Sequence, residues 1–194
     1  MIAVDQSLKS RPRLRLPSFW GEGLRTLLFV LTVAVLFDMA IPRSLVGGAS
    51  MLPTFVDGDR LMVSRLHYLV QTPARGDVIV FNSMDPNEAG VMLIKRVIGR
   101  PGDIVEIRNN EVYVNDTLLD EPYLREPCRC SRWEGQRWEL APDQYFVMGD
   151  NRNSSRDSRY FDPVTFNHVV GKVLFRYWPL QQIGIVQGYS NVAP

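Results

Sequence analysis

Val91-Met92-Leu93-Ile94-Lys95-Arg96-Val97-Ile98-Gly99-Arg100-Pro101-Gly102-Asp103-Ile104-Val105-Glu106-Ile107-Arg108-Asn109-Asn110-Glu111-Val112-Tyr113-Val114 is the stretch that decides the fold. From Val91 to Ile98 it is apolar apart from Lys95 and Arg96, which reads as a strand. Arg100 to Asp103 is a turn with a mechanism, since Pro101 presets φ and Gly102 supplies φ > 0. Ile104–Ile107 and Glu111–Val114 flank Arg108-Asn109-Asn110 and read as a hairpin. Further out, Arg60–Ser64 follows the turn signal Asp57-Gly58-Asp59. The β-branched run Asp77–Phe81 follows Pro73-Ala74-Arg75-Gly76 and suits a strand buried on both faces. Tyr145–Met148 and Gly171–Tyr177 complete the set. Short strands with turn punctuation, and no long amphipathic helix among them, predict a mostly β domain over residues 42–194. Its architecture is expected to be an antiparallel β-sheet, barrel-like in form. Residues 121–142, with Pro122, Pro127, Pro142, two cysteines and two tryptophans, read as an insertion or long loop.

Upstream the pattern changes. The chain of 194 residues has a net charge of only +1, which argues against a nucleic-acid partner. Its first 25 residues nevertheless carry Lys9, Arg11, Arg13, Arg15 and Arg25 against Asp5 and Glu22, a local charge of +3. Leu24–Ile41 follows, uncharged between Arg25 and Asp38. As a helix its 18 residues span about 27 Å, close to a hydrocarbon core of roughly 30 Å. Phe19 and Trp20 stand where an aromatic belt would lie. The expectation is a basic cytoplasmic arm over residues 1–23, a transmembrane anchor over 24–41 and an extracytoplasmic domain from 42 onward. The h-region of a cleaved signal peptide and a buried core helix are the competing readings. A cell membrane is the default, and a thylakoid or organelle inner membrane reads identically.

Three polar segments stand out within the domain: Gly47-Gly48-Ala49-Ser50-Met51-Leu52-Pro53-Thr54, Lys95–Asp103 and Met148–Tyr160. Each also reads as plain structure. Ser50 suits a turn among glycines, Lys95 the solvent face of a strand, and the Asp150 run a loop held by Asx turns. The inventory narrows the chemistry. His67 and His168 are the only histidines, neither in a Gly- or Ser-rich setting. There is no Gly-x-Ser-x-Gly elbow and no His-Glu-x-x-His pair. Two cysteines build neither a disulfide-rich scaffold nor a four-ligand zinc site. For a hydrolase, a serine served by a lysine base is the natural alternative to Ser–His–Asp.

Taken together, and in this order after the N-terminal segment, the three segments resemble the boxes of bacterial type I signal peptidases, membrane-anchored Ser/Lys proteases. The resemblance covers the anchor and nearly all of the chain after it. It implies Ser50 as nucleophile and Lys95 as general base, with a lysine pKa brought down by burial. It implies that Ser155 orients the lysine amine, with Ser154 as the weaker candidate. Asp157 and Arg159 would pair with each other and with Arg96, Asp150 and Asn151 would fix the loop, and the Ser50 N–H would serve the oxyanion. It implies cleavage of preprotein signal peptides after a small-x-small motif beside a lipid bilayer, with no metal and no cofactor.

Two positions depart from the pattern. Many relatives carry a hydroxyl where this chain has Gly48, and commonly a glycine where it has Asp162. Cys128 and Cys130 read equally as a bridge or as two loop thiols. Asn115-Asp116-Thr117 and Asn153-Ser154-Ser155 match the glycosylation triplet, which is common by chance. Two rival readings remain: a Ser/Lys peptidase of the same fold with a narrower client list or a self-cleaving role, and a catalytically weak homologue that only binds preproteins or partners at the membrane.

Overall fold

The structure is a computed structural model that describes residues 18–40, 43–85, 88 and 90–189. Lys9, Arg11, Arg13 and Arg15 of the expected basic arm lie outside the described residues. The chain divides into two units, Met1–Met39 and Ala40–Pro194.

The first unit contains the helix α1 (Ser18–Ala40). Leu24, Leu27, Leu28, Phe29, Val30, Leu31, Val33, Val35, Leu36 and Met39 are all exposed. Two of its hydroxyls are satisfied within the helix, Thr26 and Thr32 donating to the Glu22 and Leu28 carbonyls. Among the described residues no helix is long and apolar enough to cross a membrane. The spanning anchor expected over residues 24–41 is therefore not met there. The uncharged run between Arg25 and Asp38 is 12 residues, about 18 Å at 1.5 Å per residue against a core of roughly 30 Å.

The second unit is built on two antiparallel sheets. The larger joins β1 (Arg43–Leu45), β2 (Arg60–Ser64), β3 (Val78–Asn82), β4 (Met92–Gly99), β9 (Gln144–Met148), β10 (Val164–Thr165), β11 (Val169–Trp178) and β12 (Gly184–Ile185). Their order is β1-β2-β11-β3-β4-β9-β10, with β12 added to β11. The smaller sheet runs β7 (Thr117–Leu118), β6 (Glu111–Val114), β5 (Ile104–Arg108), β8 (Arg137–Glu139). A single turn of helix, α2 (His67–Val70), follows β2.

The antiparallel expectation holds, and the barrel-like form does not. Both sheets are open: β1 and β10 end the larger one at three and two residues, and no ladder joins them among the described residues. Edge strands this short offer too few ladder groups to close a cylinder.

β3 shows why the core forms. Val78, Ile79, Val80 and Phe81 are all buried. The even positions pack with Met51, Phe55 and Leu61, and the odd ones with Tyr68, Val97 and Val147, so both faces of the strand are covered. A third cluster, with Ile98, Val105, Val112, Phe146 and Met148, joins the small sheet to β4 and β9. The β5–β6 hairpin turns through Asn109 and Asn110 at φ 53° and 64°, the left-handed pair that asparagine tolerates.

Segment 121–142 is only partly loop. Its end supplies β8, which pairs with β5, and Cys128, Cys130, Trp133 and Leu140 are buried. Cys128 and Cys130 are joined as a disulfide, which resolves the two readings left open above.

Candidate active site

Strand alternation sends Lys95 and Arg96 to opposite faces of β4. Lys95 is 3% exposed, although it carries a titratable amine. Its Nζ lies 2.8 Å from Ser50 Oγ and donates to the Ile94 carbonyl at 3.0 Å. Burial lowers the Lys95 pKa below the ordinary lysine value, and the nearby carboxylates of Asp157 and Asp150 partly oppose this.

Ser50 opens a tight turn that Met51 and Phe55, each 1% exposed, pin into the core. The turn closes with the Phe55 N–H donating to the Met51 carbonyl at 2.9 Å. Gly48, two residues earlier, sits at φ +85°, and its N–H donates to Asp57 Oδ1 at 2.7 Å. A hydroxyl residue would be strained in that left-handed conformation, which gives the departure at Gly48 a physical reason. The Ser50 N–H has no partner among the described residues, so it is free to donate to a developing oxyanion.

The loop after β9 grips this turn. The Asn151 N–H donates to the Ser50 carbonyl and its side-chain amide to the Ala49 carbonyl, both at 3.0 Å. Thr54 Oγ1 donates to Asp150 Oδ2 at 2.5 Å. Asp150 in turn accepts two bonds from Arg96, Nε to Oδ1 at 2.8 Å and Nη2 to Oδ2 at 2.6 Å, with both side chains wholly buried. Gly149 has no room for a side chain, because a Cβ there would overlap the Ser155 hydroxyl and the Ser50 carbonyl oxygen.

Asp157 and Arg159 pair as expected, Nε to Oδ1 at 2.8 Å and Nη2 to Oδ2 at 2.9 Å. Asp157 also accepts the Gly149 N–H at 3.0 Å. Their expected link to Arg96 is absent. Arg96 is committed to Asp150 and the Gly76 carbonyl, and Arg159 to Asp157 and the Arg152 carbonyl, so neither reaches across. The Arg159 guanidinium also lies against both disulfide sulfurs and over the Trp133 ring.

Ser155 is buried beside Gly149, but among the described residues its hydroxyl has no hydrogen-bond partner and so makes no bond to the Lys95 amine. Ser154 is exposed. Asp162 is also exposed, on the rim of a cavity of about 410 Å³ that neither Ser50 nor Lys95 lines. The Asn115 and Asn153 amides are both used in structural hydrogen bonds. The His67 backbone N–H donates to Ser64 Oγ, His168 Nδ1 lies 2.8 Å from Thr165 Oγ1, and neither histidine bonds to Ser50 or Lys95. Among the described residues no cluster of His, Cys, Asp or Glu could hold a metal.

Sequence reasoning missed Thr54, Gly149 and Tyr123. Thr54 stood in the quoted segment without a role. Its signal is a hydroxyl four residues after the candidate nucleophile, on the same turn. Tyr123, whose ring lies 4.2 Å from the Arg96 guanidinium carbon, carried no signal.

The sequence profile of the family described as signal peptidase, peptidase S26, matches residues 20–178. The chain belongs to the signal peptidase family. It is 39% identical over 165 residues to signal peptidase I of Bacillus caldolyticus, covering 79% of this chain and 88% of that one. It is 34% identical over 171 residues to a probable signal peptidase I-2 of Synechocystis, covering 86% and 77%. Thylakoidal processing peptidase 1 of Arabidopsis thaliana is 32% identical over 179 residues, covering 87% of this chain but 52% of that longer protein. A crystal structure of a signal peptidase I from Enterococcus faecalis aligns at 33% identity with a TM-score of 0.43, over 53% of this chain and 97% of that one. Membership makes this chain a peptidase of the class that acts on preprotein signal peptides.

Proposed function

We propose that this signal peptidase is a serine endopeptidase using Ser50 as nucleophile and Lys95 as general base, cleaving exported preproteins after a small-x-small motif. The observation that carries the reading is the buried Lys95 amine 2.8 Å from Ser50 Oγ. With one N–H given to the Ile94 carbonyl, a neutral amine keeps its lone pair for the serine proton. As Oγ bonds the scissile carbonyl carbon, Lys95 takes that proton, and the oxyanion draws on the Ser50 N–H. Collapse expels the leaving amine, which receives the proton from Lys95. Water then attacks the acyl-enzyme with Lys95 as base again.

Met92–Lys95 pair with β3, while β9 begins to pair with β4 only at Arg96. That unpaired edge suits an extended peptide added as a strand. Cleavage of a test preprotein in detergent by wild type, and its absence in Ser50→Ala, tests the reading and separates an enzyme from a preprotein binder.

We propose further that the lipid bilayer is a partner, with the basic arm cytoplasmic and the catalytic domain outside. The apolar side chains exposed between Leu24 and Met39 of α1 call for an apolar phase. Protease added outside spheroplasts should digest the domain and spare the arm, and a protected domain would refute this topology.

A further inference from the structure

The chain beyond β12 runs back over the face of the molecule that holds the Arg96–Asp150 pair. Its seat is shaped for it. A Cβ on Gly76 would collide with the Tyr189 backbone, and one on Gly188 would come within 3.2 Å of Asp77 Oδ1. Arg96 Nη1 donates to the Gly76 carbonyl at 2.8 Å and reaches the Gln187 carbonyl at 3.5 Å. The Tyr189 ring lies 5.4 Å from the Arg96 guanidinium carbon, and Tyr123, at 4.2 Å, is a second aromatic neighbour. The two tyrosine rings are themselves 5.4 Å apart. Arg96 is 0% exposed, with these residues among its neighbours.

This matters because the back of the nucleophile turn is not packed solid. Thr54 and Phe55 border a cavity of about 530 Å³, which Tyr123, Arg176 and Tyr189 also line. Met51 and Phe55 hold the turn from the core side, and toward this space it is held by polar bonds, among them Arg176 Nη1 donating to the Thr54 carbonyl at 3.0 Å. Its restraint on the Asp150 side is the Thr54 hydroxyl on Asp150, and Asp150 is fixed by Arg96.

We infer that Tyr189 is a positioning residue for Ser50, acting through Arg96, Asp150 and Thr54. The inference rests on the Ser50–Lys95 reading above. Tyr189 touches neither the nucleophile nor the base. It covers Arg96, so that Arg96 holds Asp150 and Asp150 holds the turn that presents Ser50. Such a role predicts loss of turnover rather than of substrate binding, because misplacing a reacting group by about 1 Å can cost 10²-fold.

The test uses the full chain in detergent with a test preprotein, and expresses kcat per folded molecule from near-ultraviolet circular dichroism. Tyr189→Ala should lower kcat about tenfold or more while KM stays within about twofold. Tyr189→Phe should match wild type, because the ring carries the role. Tyr189→Leu, which keeps much of the volume in the seat, should behave as Ala and serves where Ala does not fold. Hydrogen exchange at the Asn151 N–H, held by the Ser50 carbonyl, reads the same loosening without catalysis. It should accelerate in Ala and Leu and not in Phe. Unchanged kcat and exchange in both Ala and Leu would overturn the inference, as would an effect confined to KM or an equal loss in Phe. A wild type that releases no signal peptide would refute the functional reading and with it the catalytic part of this inference, whereas exchange still accelerated by Tyr189→Ala would show that the ring braces the turn all the same.

Discussion

Burial works against the charge on Lys95: it is 3% exposed, and among the described residues no carboxylate hydrogen-bonds to its amine. Because burial lowers its pKa, kcat/KM should rise with pH along an acid limb that lies below the ordinary lysine value of about 10.4. His67→Ala and His168→Ala should leave that limb in place, and its loss in either would mean the base is misassigned. The same shift sets a sign for stability. Between the lowered pKa and about 10.4 the unfolded chain binds more protons than the folded one, so stability should climb with pH across that window. Lys95→Met should abolish activity, raise Tm at neutral pH and remove that slope, as thermal melts at several pH values would show. Ser155 offers a second trade. Its buried, unpartnered hydroxyl costs about 1–3 kcal/mol, so Ser155→Ala should raise Tm. The same change should lower kcat by about 10–10³-fold, because catalytic hydrogen bonds loose in the free enzyme tighten once substrate is bound. Unchanged kcat would make Ser155 a packing residue only. The motifs marked Ser50 and Lys95 out in the sequence, but their 2.8 Å approach, across 45 positions of chain, had no local signal. Thr54 and Asp150 were not legible as a pair, since 96 residues separate them.

Three elements meet at the site: the turn bearing Ser50, β4 bearing Lys95 and Arg96, and the loop after β9. The Arg96–Asp150 pair fastens them. Breaking a buried pair by removing one charge typically costs about 3–5 kcal/mol. Asp150→Asn should lose stability on that scale in urea melts, and kcat with it, because the Thr54 bond is disturbed as well. Arg96→Lys should fare little better, since an ammonium cannot make the two parallel bonds to Asp150. Stability within about 0.5 kcal/mol of wild type in both would refute the fastening role. The long strands of these elements were legible from alternation and turn chemistry. β1, β7, β8, β10 and β12, at two or three residues each, are too short to display a period. Segment 121–142 read as loop because its prolines and cysteines mask the three residues of β8 that complete the small sheet.

Across the molecule, the open sheets were the feature least available to sequence reasoning. β2 and β11 pair although more than a hundred residues separate them, and no local pattern reports which strands become edges. The helix α1 carries the opposite lesson. Its apolar run was plain in the sequence, while the charges at Arg25 and Asp38 limit the uncharged length. Deleting residues 1–39 should leave the catalytic unit folded, since Ala40–Pro194 forms a compact unit of its own, but should release the protein from lipid vesicles. Retention of the truncated protein on vesicles would place membrane contact elsewhere. The central claim, that a Ser50–Lys95 pair releases signal peptides, is tested most directly by single-turnover cleavage of a test preprotein by wild type, Ser50→Ala, Lys95→Ala and Lys95→Arg. Cleavage by wild type and none by the three variants, with circular dichroism unchanged, is the predicted result. Release of signal peptide by Lys95→Arg at a near-wild-type rate would contradict it, because an arginine stays charged at any working pH and cannot accept the serine proton.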